Sequence, residues 1–237
     1  KEFIQRFSAN ASKSKQATSR RKVLDKLDIE DMPNSSRKFP YCGFKAERDC
    51  GKQVLSVHGL SKTVEGEQQF KDWDFTVEAG QKIAFVGPMN MAKTAFFDIL
   101  GGEMKPDSGS FDWGVTIKLG YFPKDNTKMF DSDLSITDWL RQYSPIQEEA
   151  YVRGFLGRML FSGEEALKPV RVLSGGEKVR CMLSKLMLQG PNVLVLDDPT
   201  NHLDLEAITA LNDGLVEFDQ VILFESHDHQ FISTIAN

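Results

Sequence analysis

The chain has 237 residues, 41% of them hydrophobic and 27% charged, with a formal net charge of −5. That suffices for one large α/β domain with a substantial core plus an appendage. No apolar run approaches the roughly 18 residues of a membrane-spanning helix, no charged-then-apolar leader opens the chain, and Cys42, Cys50 and Cys181 are too few and too irregularly spaced for a zinc site or a disulfide framework, so a cytoplasmic protein with no membrane partner is expected.

The charge is unevenly placed. Residues 1–52 hold 13 Lys or Arg against 7 Asp or Glu, a balance of +6 that leaves the remainder at −11. A basic segment ahead of an acidic body predicts that the segment meets an anionic partner. Residues 1 to about 31 are helix-compatible, with Phe3, Ile4 and Phe7 early, Val23, Leu24, Leu27 and Ile29 late, and Arg6, Lys13, Lys15, Arg20, Arg21 and Lys22 between them. Their middle has little to bury, so such a helix needs an external partner. Met32-Pro-Asn-Ser-Ser36 reads as a break, and Phe39 to Gly51 as an irregular approach to the acidic body.

From Val54 the pattern is strand-like: Val54, Leu55 and Val57, then Trp73, Phe75 and Val77, then Ile83 to Val86, with Thr116 to Tyr121 continuing it. Between Ile136 and Phe161 the period becomes helical, through Trp139, Leu140, Tyr143, Val152, Phe155, Leu156 and Met159. A further helix is expected over Glu177–Leu188, closed by Gly190-Pro191. Val193–Leu196 and Val221–Phe224 are short apolar runs of the kind found in buried strands, and one short helix comes after His227.

Four runs within this pattern carry chemistry. Lys82–Val86 leads through Gly87-Pro-Met-Asn-Met-Ala-Lys93-Thr94 into a helix, so unpaired N–H groups and the helix dipole form an anion site. Lys93 adds a point charge there and Thr94 a hydroxyl for Mg²⁺. In the usual spacing, G-x-x-x-x-G-K-[ST], Ala92 stands where the second glycine belongs. If that position requires φ > 0, its Cβ costs on the order of 1 kcal/mol or more, whereas Asn90, at another customary glycine, tolerates the left-handed region better. The strand Val193–Leu196 ends in Asp197 and Asp198, at the carboxyl end where parallel sheets bind ligands. Asp197 suits the water shell of Mg²⁺, which takes only one or two carboxylates, and Asp198 suits orienting an attacking water. Ser174-Gly-Gly-Glu177 opens a helix with a second anion-binding terminus, and His227 ends the strand Val221–Phe224. His58 and His229 show no metal-ligand pattern.

These residues in this order resemble the nucleotide-binding domain of the ATP-binding cassette proteins, from about Val54 to Asn237. Leu173-Ser-Gly-Gly-Glu-Lys178 and Pro199-Thr-Asn-His-Leu-Asp204 are similar to the F subfamily (ABC-F), translation factors with two cassettes and no membrane domain. The resemblance implies an α/β P-loop NTPase fold with an antiparallel β subdomain, a parallel-sheet core and a small helical subdomain, and ATP with Mg²⁺ as cofactors. It implies nucleotide contacts from Gly87, Asn90, Met91, Ala92, Lys93, Thr94, Ala95 and Lys124, a metal site at Thr94 and Asp197, and catalysis by Asp198, His227 and Lys93. Ser174 and Gly176 would face an ATP held by a second cassette of the same full-length chain. The chain would divide into a basic helical linker and irregular connection, 1–52, reaching the ribosome and tRNA, and a cassette, 53–237, with a helical subdomain over about 132–190 and further strands expected beyond Asn237. No helical arm interrupts the cassette, which makes it the second of the two. Turnover by one cassette alone is expected to be weak or absent.

Four positions besides Ala92 depart from the family. Asp198 stands where a glutamate is usual, and a shortfall of about 1 Å can cost about 10²-fold in rate. Lys124 stands in place of a glutamine and cannot coordinate Mg²⁺. Val64 stands where an aromatic stacks on adenine, and Glu225 is an acid at a strand end for which the sequence offers no account. An ATPase subunit of a membrane transporter, or a nucleotide-gated scaffold without turnover, would carry the same cassette.

Overall fold

The computed structural model describes residues 38–88 and 90–237. The helix expected over 1–31 and the break at 32–36 lie outside the described residues. In chain order the elements are β1 (Gln53–Val64), β2 (Glu67–Glu78), β3 (Lys82–Ala84), α1 (Asn90–Gly101), β4 (Ser108–Trp113) and β5 (Leu119–Phe122). Then come α2 (Ile136–Arg141), α3 (Glu149–Arg158), α4 (Gly175–Gln189), β6 (Val193–Asp197), α5 (Leu205–Glu217), β7 (Val221–Glu225) and α6 (His229–Ile235), with short 3-10 turns between some of them.

Two sheets enclose α1. One is antiparallel in the order β2-β1-β4, and the other is parallel in the order β3-β7-β6-β5. The parallel strands explain their own sequence: every residue of β6 and β7 is buried, because each face of that sheet is covered. Val193, Val195, Val221 and Leu223 face α1 and the antiparallel sheet, while Leu194, Leu196, Ile222 and Phe224 face the core shared with α4, α5 and α6. With a side-chain period of two, this alternation also fixes the strand ends: Asp197 and Glu225, directly paired in register, both belong to the α1 face.

Aromatic packing holds α1 in place. Phe96, fully buried, has ring centroids of Phe70, Trp73, Phe75, Phe85 and Phe97 between 5.3 and 6.2 Å from its own. Such pairs contribute roughly 0.5–1.5 kcal/mol each beyond burial, so the helix that opens at Asn90 is rigidly seated.

The helical period read over Ile136–Phe161 is two helices, interrupted around Ser144-Pro145. Trp139 stacks on Phe130 at 4.8 Å and donates its indole N–H to the Met129 carbonyl at 2.8 Å. α4 begins at a capping box in which Ser174 and Glu177 satisfy each other's backbone N–H groups, and it ends at Gly190 in the left-handed region.

Residues 39–52 have no regular structure but are bound along their length to the rest of the compact unit Phe39–Asn237. The Tyr41 N–H donates to the Arg158 carbonyl (2.9 Å) and the Glu47 N–H to the Gly190 carbonyl (3.0 Å). Buried Asn192 donates to the Arg48 carbonyl (3.2 Å), and Gln220 accepts from the Cys50 N–H (3.0 Å) while donating to Asp49 (3.0 Å). Where this strap crosses α5, a Cβ on Gly214 would overlap the carbonyl oxygen of Cys42. A glycine inside a helix costs about 1 kcal/mol relative to alanine, and the close crossing is its reason. Gly214→Ala is therefore expected to lower the unfolding free energy by about 1–3 kcal/mol despite its better helix propensity. Urea denaturation checks this; a midpoint at or above that of the parent would show that the strap can move aside.

Candidate functional site

The phosphate loop lies between β3 and α1. The Phe85 N–H donates to the Phe224 carbonyl at 2.8 Å, carrying the β3–β7 pairing one residue further, and Gly87 then turns the chain with φ +143°. α1 opens at Asn90, so the first-turn N–H groups are free to meet an anion. Ala92 is helical and 5% exposed, packed in the core on this side of the sheet. The backbone cost expected there does not arise, because the position has ordinary helical torsions and its methyl faces other side chains.

Lys93 is buried, and its Nζ lies 3.0 Å from the Gly87 carbonyl and 2.9 Å from Glu225 Oε1. His227, mostly exposed, brings Nε2 to 3.6 Å from the same Glu225 oxygen. Asp197 has no exposure, and neither of its carboxylate oxygens has a hydrogen-bond partner of sound geometry. Burial pushes its carboxyl well up from the ordinary value, and the adjacent Glu225 adds to this against the pull of the Thr94 hydroxyl and Lys124. Glu225 moves the other way: burial raises it, but the Lys93 ammonium and Asp197 hold it below its usual value. Asp198 is half-buried in the left-handed region at φ +51°, fixed by its N–H to the Glu225 carbonyl (3.1 Å) and by its own carbonyl, which accepts from Asn201 (3.2 Å). Burial and Glu225 raise its carboxyl, opposed by Lys124, His227 and Lys93.

Lys93, Thr94, Lys124, Asp197, Asp198 and His227 thus share one electrostatic neighbourhood at the carboxyl ends of β6 and β7. Met91, Thr94, Ala95 and Lys124 also line a cavity of about 270 Å³ with Val64 and Met104, so the position of Val64 offers an aliphatic wall where an aromatic ring was absent. Ser174 and Gly176 lie at the start of α4. A Cβ on Gly176 would come 2.7 Å from the His202 carbonyl, so the glycine pair lets this helix end pack on the loop after β6. Asp198 and Gly175 border one polar cavity, again about 270 Å³, with Lys124, Lys178 and His202.

Sequence reasoning missed the placement of Glu225 among Lys93, Asp197 and His227. Its signal was present, since two apolar runs each end in an acid, but it required knowing that β6 and β7 are parallel neighbours in register. The site fits Mg²⁺: the unpartnered, buried oxygens of Asp197 beside Thr94 are hard donors of the right kind and number, and phosphate oxygens and water usually complete such a shell. When bound, the ion offsets phosphate charge and polarises the transferred phosphoryl group.

A loop-and-helix anion site on a parallel sheet, backed by an antiparallel sheet, defines a P-loop ATPase of the ATP-binding-cassette fold. Residues 70–201 match the family model described as ABC transporter, and residues 1–41 match a second model with the same description. The chain belongs to the ABC transporter family, as an ATP-binding domain. It is 60% identical to the ABC transporter ATP-binding protein YkpA of Bacillus subtilis (strain 168), over all of this chain and 44% of that protein. It is 41% identical to the ATP-binding protein YbiT of Escherichia coli O157:H7, over 99% of this chain and 44% of that protein. The chain therefore spans less than half the length of these curated relatives. The RNase-L Inhibitor shares the fold, with a TM-score of 0.64 at 21% identity over 78% of this chain and 36% of that one. Domains of this class bind ATP, normally with Mg²⁺, and work as dimers or paired domains. Among the described residues no helix is long and apolar enough to cross a membrane.

Proposed function

We propose that the chain is the second ATP-binding and ATP-hydrolysing cassette of an ABC-F translation factor, with residues 1–52 its basic linker toward the ribosome and tRNA and its irregular connection, of which 39–52 lie on the cassette, and residues 53–237 the cassette proper. The observation that carries the enzymatic part is the meeting of Lys93, Asp197, Asp198 and His227 around Glu225 beneath the N-terminus of α1. In this reading the first-turn N–H groups of α1, with Gly87, Asn90, Met91, Ala92 and Ala95 around them, cradle phosphate, and Lys93 and Lys124 offset its charge. Thr94 and Asp197 hold the Mg²⁺ shell, Asp198 orients the attacking water, and His227 contacts the terminal phosphate. Ser174 and Gly176 serve the nucleotide of the opposite cassette. The assignment to the F subfamily rests on the wording of residues 173–178 and 199–204, and the ribosomal partner on the +6 balance of the first 52 residues.

Phosphate release from Mg-ATP by the full 237-residue chain tests the enzymatic part. Because each site is completed by a second cassette, the rate per chain is expected to be low and to rise with protein concentration; a fast rate independent of concentration would reject the paired arrangement. Sedimentation with ribosomes at low and moderate salt tests the partner, with binding expected to weaken steeply as salt rises. A scaffold that binds nucleotide without turnover is the second reading, favoured by the short Asp198 and by the engagement of Lys93 with Glu225.

A further inference from the structure

We infer that Glu225 makes nucleotide binding at this site dependent on Mg²⁺, by setting a second buried carboxylate against the phosphates and holding the lysine they need. The inference rests on the reading of this site as an ATP site and concerns a residue to which that reading gives no role.

Glu225 is 1% exposed and Asp197 has no exposure; they are cross-strand partners on adjacent parallel strands and face the same side of the sheet as α1. Lys93 is the one lysine or arginine among the described residues that is buried, and its Nζ is already engaged by Glu225 Oε1 at 2.9 Å and by the Gly87 carbonyl at 3.0 Å. A triphosphate arriving alone must draw Lys93 away from Glu225 or share it. Its oxygens then lie close to Glu225 and to the unpartnered oxygens of Asp197, with Lys124 and His227, both exposed, as the other cationic or potentially cationic groups nearby. Like charges a few ångströms apart in a partly dry site repel strongly enough to change affinity about tenfold or more. When Mg²⁺ arrives with the nucleotide, Asp197 gains a counter-charge and the phosphates lose part of theirs, so Lys93 can serve Glu225 and phosphate together. Repulsion from Glu225 thus falls mainly on the metal-free nucleotide. Glu225 acts here as a specificity-determining residue for the metal complex, not as a catalytic one.

The test is equilibrium binding of a fluorescent ATP analogue to the full chain, in excess Mg²⁺ and in chelator, with a thermal melt of each protein. The parent should bind the Mg²⁺ complex far more tightly than the free nucleotide. Glu225→Gln, and independently the strand-compatible Glu225→Val, should tighten metal-free binding by about tenfold or more while moving metal-bound affinity less than about threefold; Glu225→Asp, which keeps the charge, should stay near the parent. An unchanged ratio in whichever neutral variant melts cooperatively overturns the inference, as does a parent that binds equally well in chelator. No binding by the parent in Mg²⁺ instead overturns the ATP-site reading beneath it.

Discussion

Replacing Lys93 with methionine is expected to abolish measurable Mg-ATP binding and, separately, to weaken the fold. The side chains of Lys93 and Glu225 are 8% and 1% exposed, so the pair is dry on both sides. Removing one member of such a pair leaves an uncompensated buried charge, a loss of about 3–5 kcal/mol. Protonation of Glu225 would recover part of this, so a fall near the lower figure is expected in urea denaturation at neutral pH. The double variant Lys93→Met with Glu225→Gln removes both charges and should regain most of the stability without regaining nucleotide. That divergence separates the two tasks of Lys93, because one depends on Glu225 and the other on phosphate. A single variant as stable as the parent would show that the ion pair contributes nothing; one that binds Mg-ATP within about threefold of the parent would remove Lys93 from the nucleotide site.

Asp198→Asn is the second large effect. Asparagine keeps the shape and tolerates the left-handed torsion at φ +51°, so the turn held by the Glu225 carbonyl should persist. It removes the carboxylate that would orient or deprotonate water, and phosphate release should fall by about 10²- to 10⁴-fold with nucleotide binding retained. Asp198→Glu is more informative than its chemistry alone suggests. The added methylene restores reach and is expected to raise the rate up to about 10²-fold. The left-handed torsion, however, suits aspartate better than glutamate, so about 1 kcal/mol of stability should be lost in exchange. Single-turnover phosphate release and urea melts on the same three proteins check both halves. An Asn variant as fast as the parent would remove Asp198 from the chemistry, and a parent with no release at all would favour the scaffold.

The parts of this fold that were legible in the sequence are those whose residues answer to one dominant constraint. β6 and β7 are covered on both faces, so they read as unbroken apolar runs. α4 is announced by Ser174 and Glu177 at one end and Gly190 at the other. β4 went unread because its first half, Ser108, Gly109 and Ser110, is exposed at a sheet edge, leaving only Phe111 and Trp113 to show an alternation. α5 was hidden by the motif before it, although Asp204, the last residue of that motif, caps it by accepting from the Ala207 N–H at 2.8 Å. Within the site, the identity of the charged residues was legible and their pairing was not. Ala92 looked costly as a letter in a glycine position, but its torsions are set by where α1 begins. Glu225 looked unexplained because its partners Lys93 and Asp197 are far away in sequence and come together only through sheet order and register.

The strap over residues 39–52 bears on how this protein can be cut. Asn192 and Gln220 stand just ahead of β6 and β7, and their amide groups find partners in Arg48, Asp49 and Cys50. A chain cut at Gln53, where the first strand starts, would take one partner from the Asn192 amide and two from the Gln220 amide, and would uncover the groove on α5 that Gly214 keeps open for Cys42. A cut ahead of Phe39 leaves those contacts whole, so the unit to keep together is longer than its regular elements suggest.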